Sequence, residues 1–156
     1  MSFKTHIRLM TIDDLDQVME IENDSFVAPW QRQDFLYELN DNPVNVIFVL
    51  EVEVNGKNEI AGFIDFMVTF NSSTISQIAI SERYRHHKLG TKLLNKMFEY
   101  LRNDYREIVE TITLEVRTHN KSAIAFYEKN GFEGVLIKPH YYDNGDDALY
   151  MVRRLI

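Results

Sequence analysis

The amino-acid sequence predicts one mixed domain, α/β (mixed α+β), in which helices flank a sheet. Three observations predict it. Short runs of alternating apolar and polar residues occur along the whole chain, as half-buried strands require. Stripes of apolar residues at helical spacing separate those runs. No repeat, low-complexity tract or Pro/Gly/Ser-rich linker divides the 156 residues, so a single domain over residues 1–156 is expected.

The elements follow in order. "KTHIRLM" (4–10) alternates, with Ile7 and Leu9 on one face and His6 and Arg8 on the other, and reads as a strand. Thr11 then stands as a helix N-cap with Asp14 supporting the first turn, and Leu15, Val18, Met19 and Glu22 follow at helical spacing. "APW" (28–30) breaks that helix, and Phe35, Leu36 and Leu39 suggest a second, short one. "VNVIFVLEVEV" and "EIAGFIDFMVTF" read as strands joined through Asn55-Gly56, a strong hairpin signal because both turn residues tolerate positive φ. "TISQIAI" (74–80) is another strand, followed by a long helix striped with Leu89, Leu93, Leu94, Met97, Phe98 and Leu101. "TITLEV" (111–116) is a strand with Ile112, Leu114 and Val116 on one face. "KSAIAFYEKNGF" is a helix with Gly131 where a C-cap belongs. Two strands, "EGVLIK" and "ALYMVRRL", finish the chain, so the expected order is β-α-α-β-β-β-α-β-α-β-β.

Composition narrows the function classes. The absence of cysteine removes disulfide frameworks, thiolate metal sites and a cysteine nucleophile. A formal net charge of −7 disfavours direct nucleic-acid binding, which needs a basic face. The N-terminus lacks the apolar core of a signal peptide, and "VIFVL" (46–50) falls far short of the roughly 20 residues of a membrane span. A cytoplasmic protein that does not engage membranes is expected. The five histidines show no metal-like spacing, since the adjacent pair His86-His87 diverges on regular backbone; no metal is expected.

Against this acidic background, "RYRHHKLG" (83–90) places cations at the entrance to the long helix. A helix N-terminus exposes unpaired N–H groups and about half a positive charge, so it attracts phosphate. On these residues alone, a solvated basic turn complementing nearby acids is the simpler reading.

The order of "QIAI", "SERYRHHKLG", "TKLLNKMFEYL", "TLEV" and N-x-x-A-x-x-F-Y-x-x-x-G-F resembles the GNAT acetyltransferase superfamily. Within it, "IRLMTIDDLDQVMEIE", "PW" at 29–30, "LEVRTHNKSAIAFYEKNGF" and "YYDNGDDALYM" resemble the bacterial RimI-type ribosomal-protein alanine N-acetyltransferases. The resemblance implies a twisted mixed seven-stranded sheet with about four helices, whose fourth and fifth strands splay apart to receive the pantetheine arm of acetyl-CoA. It implies that the backbone of Ile78, Ala79 and Ile80 pairs with pantetheine. Arg85 and the loop N–H groups of His86, His87, Lys88, Leu89, Gly90 and Thr91 would hold the pyrophosphate, and Asn120 would contact the cofactor while capping the next helix. Lys88 departs from the family pattern by replacing its first glycine: a right-handed backbone there would accept lysine, whereas positive φ would strain it.

The resemblance also makes Glu115 the general base and Tyr127 the acid that protonates the departing thiolate. Glu115 lies on the strand face opposite Ile112, Leu114 and Val116, where a carboxylate needs a partner or a role; an ion pair with Arg117 or a neighbouring strand is the alternative. Trp30 is expected to border the acceptor groove or to anchor its loop. Tyr141 and Tyr142, with Asp143, Asp146 and Asp147, form a loop that receives a peptide ammonium or is simply solvated. At pH 7, deprotonating an α-amine costs about 1.1 kcal/mol against about 4.6 for a lysine, which favours an N-terminal acceptor. The expected activity is acetyl transfer to a protein N-terminus, the alanine of a small-subunit ribosomal protein being the implied partner, by a monomer or weak homodimer. A polyamine or internal-lysine acetyltransferase and a non-catalytic acyl-CoA-binding module are the alternatives.

Overall fold

The computed structural model describes residues 3–105 and 108–155. The strands are β1 (Thr5–Leu9), β2 (Asn45–Val54), β3 (Lys57–Thr69), β4 (Ser72–Ile80), β5 (Thr111–Arg117), β6 (Glu133–Lys138) and β7 (Ala148–Arg154). The helices are α1 (Leu15–Ser25), α2 (Arg32–Asn40), α3 (Leu89–Asp104) and α4 (Lys121–Lys129). All seven strands form one sheet in the order β1-β2-β3-β4-β5-β7-β6. The expected element order and the mixed seven-stranded architecture are both found.

Two apolar layers hold the helices to the sheet. On one face, the stripe of α3 (Leu89, Leu93, Leu94, Met97, Phe98, Leu101) and Tyr127 of α4 pack on Leu50, Ile64, Phe66, Ile112 and Leu114. On the other, Leu15, Val18 and Ile21 of α1 and Phe35 of α2 pack on Ile47, Val49, Phe63 and Ala79. Strands covered on both faces read as nearly continuous apolar runs, which is why β2 and β3 do. The Asn55-Gly56 turn has φ of 52° and 79°, both positive as the tight hairpin requires.

Local expectations hold with two adjustments. Asp14 accepts the Thr11 N–H at 2.8 Å and closes a short 3₁₀ turn over Ile12–Asp14 before α1 begins at Leu15. Arg8 bonds the same carboxylate at 2.8 Å and holds it below the usual carboxylate range. Leu9 shares a strand face with Ile7, and while Ile7 is half-buried, Leu9 is 58% exposed. β1 is an edge strand, and its outer end is uncovered. At the opposite edge, β6 leaves Val135, Leu136 and Ile137 exposed, and an irregularity between Gly134 and Leu136 disrupts its pairing, a common way of blunting an edge. Among the described residues, no helix is long and apolar enough to cross a membrane.

Candidate active site

The sheet opens at its middle. β4 and β5 are parallel and pair only at Ser72↔Thr111, Ser73↔Ile112 and Thr74↔Thr113. The Thr74 and Thr113 hydroxyls, 3.1 Å apart, mark the last contact. Beyond it β4 stays paired to β3 and β5 to β7, so the facing edges of Ile75–Ile80 and Leu114–Arg117 part. The register slips between Asp65 and Phe66, where Asp65 faces Gln77 and Phe66 faces Ile75. One extra residue on β4 bends the strand locally, as a bulge does.

Ile78, Ala79 and Ile80 therefore keep β3 on one edge and have a gap in place of β5 on the other. At the same end, α3 begins. Lys88 is its N-cap with φ 62° and ψ 22°, in the left-handed region, and His86 has φ 68°. The positive φ that glycine normally supplies is thus required, and lysine adopts it at a cost of about 1–2 kcal/mol. His87 meets the Phe3 ring edge-on at 4.9 Å. Arg85 turns back on the loop and donates to the Ile80 carbonyl at 3.0 Å. Gly90 serves packing: a Cβ there would lie 3.0 Å from the Phe126 ring, so the missing side chain lets α4 approach α3. Thr91 occupies the first turn of α3, where the amides of Leu89 to Thr91 point out of the helix end. Asn120 caps α4, its Oδ1 accepting the Ala123 N–H at 3.2 Å.

Glu115 projects from β5 opposite the buried Ile112, Leu114 and Val116, with its side chain 19% exposed. Its ion-pair partner is Lys138 of β6 at 2.9 Å. Arg117 instead stacks on Tyr142 at 3.9 Å and bonds Asp146 at 2.7 Å. The Lys138 ammonium also lies 4.6 Å from the Tyr150 ring centre, and the Glu115 bond raises its pKa. Tyr127, 9% exposed, packs between Phe126 and Phe132, and burial pushes its phenol above the ordinary value. Tyr142 lies within electrostatic reach of both: it raises Tyr127 further and itself feels Glu115.

An open cleft of about 320 Å³ lies between the α1–α2 connection and the β6–β7 loop, lined by Val27, Ala28, Arg117, Tyr141, Tyr142, Asp143 and Asn144. Tyr141 and Tyr142 meet edge-on at 5.1 Å on one wall. Asp146 accepts from His119, Asn144 and Arg117, in that order the causes that hold it at about 2, and Asp147 accepts the His140 backbone N–H. These two acids brace the loop, while Asp143 faces the cleft. Trp30 is set back from it, tilted on Phe35 at 5.2 Å. The wall is instead made by Val27 and Ala28, whose small apolar side chains carried no signal in the sequence.

The pattern of the Acetyltransferase (GNAT) family matches residues 15–132. The chain belongs to the GNAT acetyltransferase family. This acetyltransferase is 31% identical over 141 residues to the ribosomal protein bS18-alanine N-acetyltransferase of Escherichia coli, covering 88% of this chain and 89% of that protein. An N-alpha-acetyltransferase of Saccharolobus solfataricus is 32% identical over 161 residues, covering 96% and 92% of the two chains. The crystal structure of the Escherichia coli ribosomal-protein-S18-alanine enzyme superimposes with a TM-score of 0.82 at 29% identity, covering 97% of this chain and 94% of that one. As a GNAT member the protein is an acyltransferase, and its N-acetyltransferase relatives span its length.

The parted strands fit the family's acetyl-CoA. The β4 edge at Ile78–Ile80, free on the β5 side, has room for an extended pantetheine arm, and the N-terminus of α3 with its cationic loop suits a pyrophosphate. Three groups had no functional signal in the sequence. Glu22 and Asp65, both 0% exposed, and Gln77 are buried on the α1/α2 face. Glu22 looked like one more member of a helical stripe, and only the fold shows what it touches.

Proposed function

We propose that this GNAT protein transfers the acetyl group of acetyl-CoA to the N-terminal α-amine of a protein, the alanine terminus of a small-subunit ribosomal protein being the preferred acceptor. The reading rests on one observation above all: β4 and β5 stop pairing after Thr74 and Thr113, which leaves an entry between them beside Glu115. Bound there, acetyl-CoA supplies a thioester carbonyl open to attack by an amine. Ile78, Ala79 and Ile80 would hold its arm, the amides from His86 to Thr91 with Arg85 would hold its phosphate end, and Asn120 would contact it from the start of α4.

Glu115 accepts the proton of the acceptor ammonium, directly or through one water, and Lys138 keeps the carboxylate oriented until the acceptor arrives. The Tyr127 phenol stays protonated because burial penalises phenolate, so it holds a proton at its Oη for the leaving sulfur. No cysteine is present to form an acyl-enzyme, which favours direct attack. The cleft suits a peptide terminus: Val27, Ala28 and the two tyrosines offer a small apolar surface, and Asp143 offers a charge for the ammonium. The protein N-terminal relatives from a bacterium and an archaeon support the same acceptor class.

The test is a substrate panel with wild-type protein and acetyl-CoA, followed by thiol release and mass spectrometry. An Ala-initiated peptide with the bS18 N-terminal sequence is expected to be acetylated on its α-amine, far faster than its N-blocked, lysine-containing counterpart or spermidine. Faster turnover of either of those, or acetyl-CoA binding without acetylation of any amine, would overturn the proposal.

A further inference from the structure

The buried polar groups of the α1/α2 face take no part in this chemistry, and one of them joins its two halves. Glu22 lies on the buried stripe of α1 beside Val18 and Ile21 and is completely covered. Its Oε2 accepts two hydrogen bonds, from the Trp30 backbone N–H at 2.7 Å and from Gln77 Nε2 at 2.8 Å. The donors belong to different parts of the site. Trp30 ends the α1–α2 connection, pinned by its ring on Phe35, and Val27 and Ala28 of the same connection wall the acceptor cleft. Gln77 lies on β4 immediately before Ile78, at the slip in register that bends the strand.

A buried carboxyl on an apolar stripe is costly, and a well-packed apolar residue of similar volume is often neutral or stabilising in its place. Neither bond serves α1 itself, since both donors come from outside the helix. We infer that Glu22 is a positioning residue for acetyl transfer, strapping the acceptor wall at residues 26–30 to the cofactor strand β4 so that the incoming amine and the thioester meet at a set separation. This rests on the N-terminal acetylation reading of the cleft. Small misplacements of reacting groups cost about 10²-fold in rate, so such a strap acts on catalysis without touching substrate.

The role needs hydrogen-bond acceptance rather than charge. In Glu22→Gln the side-chain carbonyl still accepts both donors. Its amide replaces Oε1, which has no partner among the described residues; nor has the Oε1 of Gln77, whose own amide bonds Glu22. Glu22→Met fills the volume and accepts nothing.

The test compares wild type, E22M, E22Q and Q77M by steady-state kinetics with the Ala-initiated peptide, calorimetry with acetyl-CoA, and amide hydrogen exchange of the wild-type protein. E22M and Q77M are expected to lower kcat with the peptide by about 10–100-fold, with acetyl-CoA affinity within about twofold. E22Q should return kcat to within about twofold of wild type. The Trp30 amide should exchange at least about 100-fold slower than an exposed loop amide. A wild-type kcat in E22M, equal damage in E22Q and E22M, or rapid exchange at Trp30 would each overturn the strap. Should E22M fail to fold, Q77M carries the same comparison; failure of both to fold would make Glu22 a residue of stability alone and overturn the strap as well. A wild-type protein that acetylates no N-terminus but another amine of the panel sinks the acceptor reading, and the same kcat ratios with that amine then decide the strap; acetylation of no amine overturns both.

Discussion

Replacing Asp65 by asparagine should stabilise this protein, by an amount that grows with pH. Asp65 sits on β3 with no exposed surface, and neither carboxyl oxygen has a hydrogen-bond partner among the described residues. The Asn45 side chain is close but does not reach bonding geometry, and its own polar atoms are also unpartnered. Burial, reinforced by the charges of Glu38 and Glu22, raises the carboxyl from 3.8 to about 8. Below pH 3.8 folded and unfolded chains both carry this proton. Between 3.8 and about 8 only the folded chain does, so stability falls as pH rises through that window. One proton changes stability by roughly 3 kcal/mol between pH 5 and pH 7. For a domain of this size that corresponds to roughly 5–10 °C in Tm. Asparagine at 65 has the same shape and no proton to lose, so D65N removes the slope. Thermal unfolding of both proteins at pH 5, 6, 7 and 8 reads the effect as a Tm difference, in which other titrating groups largely cancel. A difference that stays constant across that range would show that Asp65 titrates alike in the folded and unfolded chains, and would refute the reasoning.

Three further outcomes are expected. Glu115→Gln and Tyr127→Phe should each lower kcat with the Ala-initiated peptide by about 10²–10⁴-fold, with Tm nearly unchanged; wild-type rates in both would remove the proposed proton transfers. Lys88→Gly should relieve the left-handed backbone at φ 62° and, after the added chain entropy, raise stability by up to about 1 kcal/mol; a fall in Tm by denaturation would count against that account of the loop. Gly62→Ala should destabilise by about 1–3 kcal/mol and weaken acetyl-CoA binding by calorimetry. Its Cβ would lie 2.5 Å from Ile80 Cδ1 and 2.7 Å from the Ala79 carbonyl, on the strand that lines the gap; unchanged stability would show that β4 yields there at little cost.

The order of elements and most of the core were legible in the chain because they depend on local periodicity. The α3 stripe from Leu89 to Leu101 is wholly buried, and Asn55-Gly56 makes the hairpin that its tolerance of positive φ suggests. Glu115 could be singled out for the same reason: on a strand whose alternate residues are apolar, a carboxylate on the other face stands out. The family and its motif residues could be named from the order of short motifs along the chain, without any contact being known.

What local pattern could not carry was the partner of each side chain. Glu115 meets Lys138 from a strand two places across the sheet, while Arg117, two residues away, belongs to Tyr142 and Asp146. Lys88 admitted two backbones, and the tertiary loop selected the strained one. Glu22 and Asp65 read as a helix residue and a strand residue, and their burial appeared only when α1, β3 and β4 closed over them. Periodicity reports which face of an element turns inward, whereas pairing, strain and desolvation depend on segments distant in sequence that only the folded chain brings together.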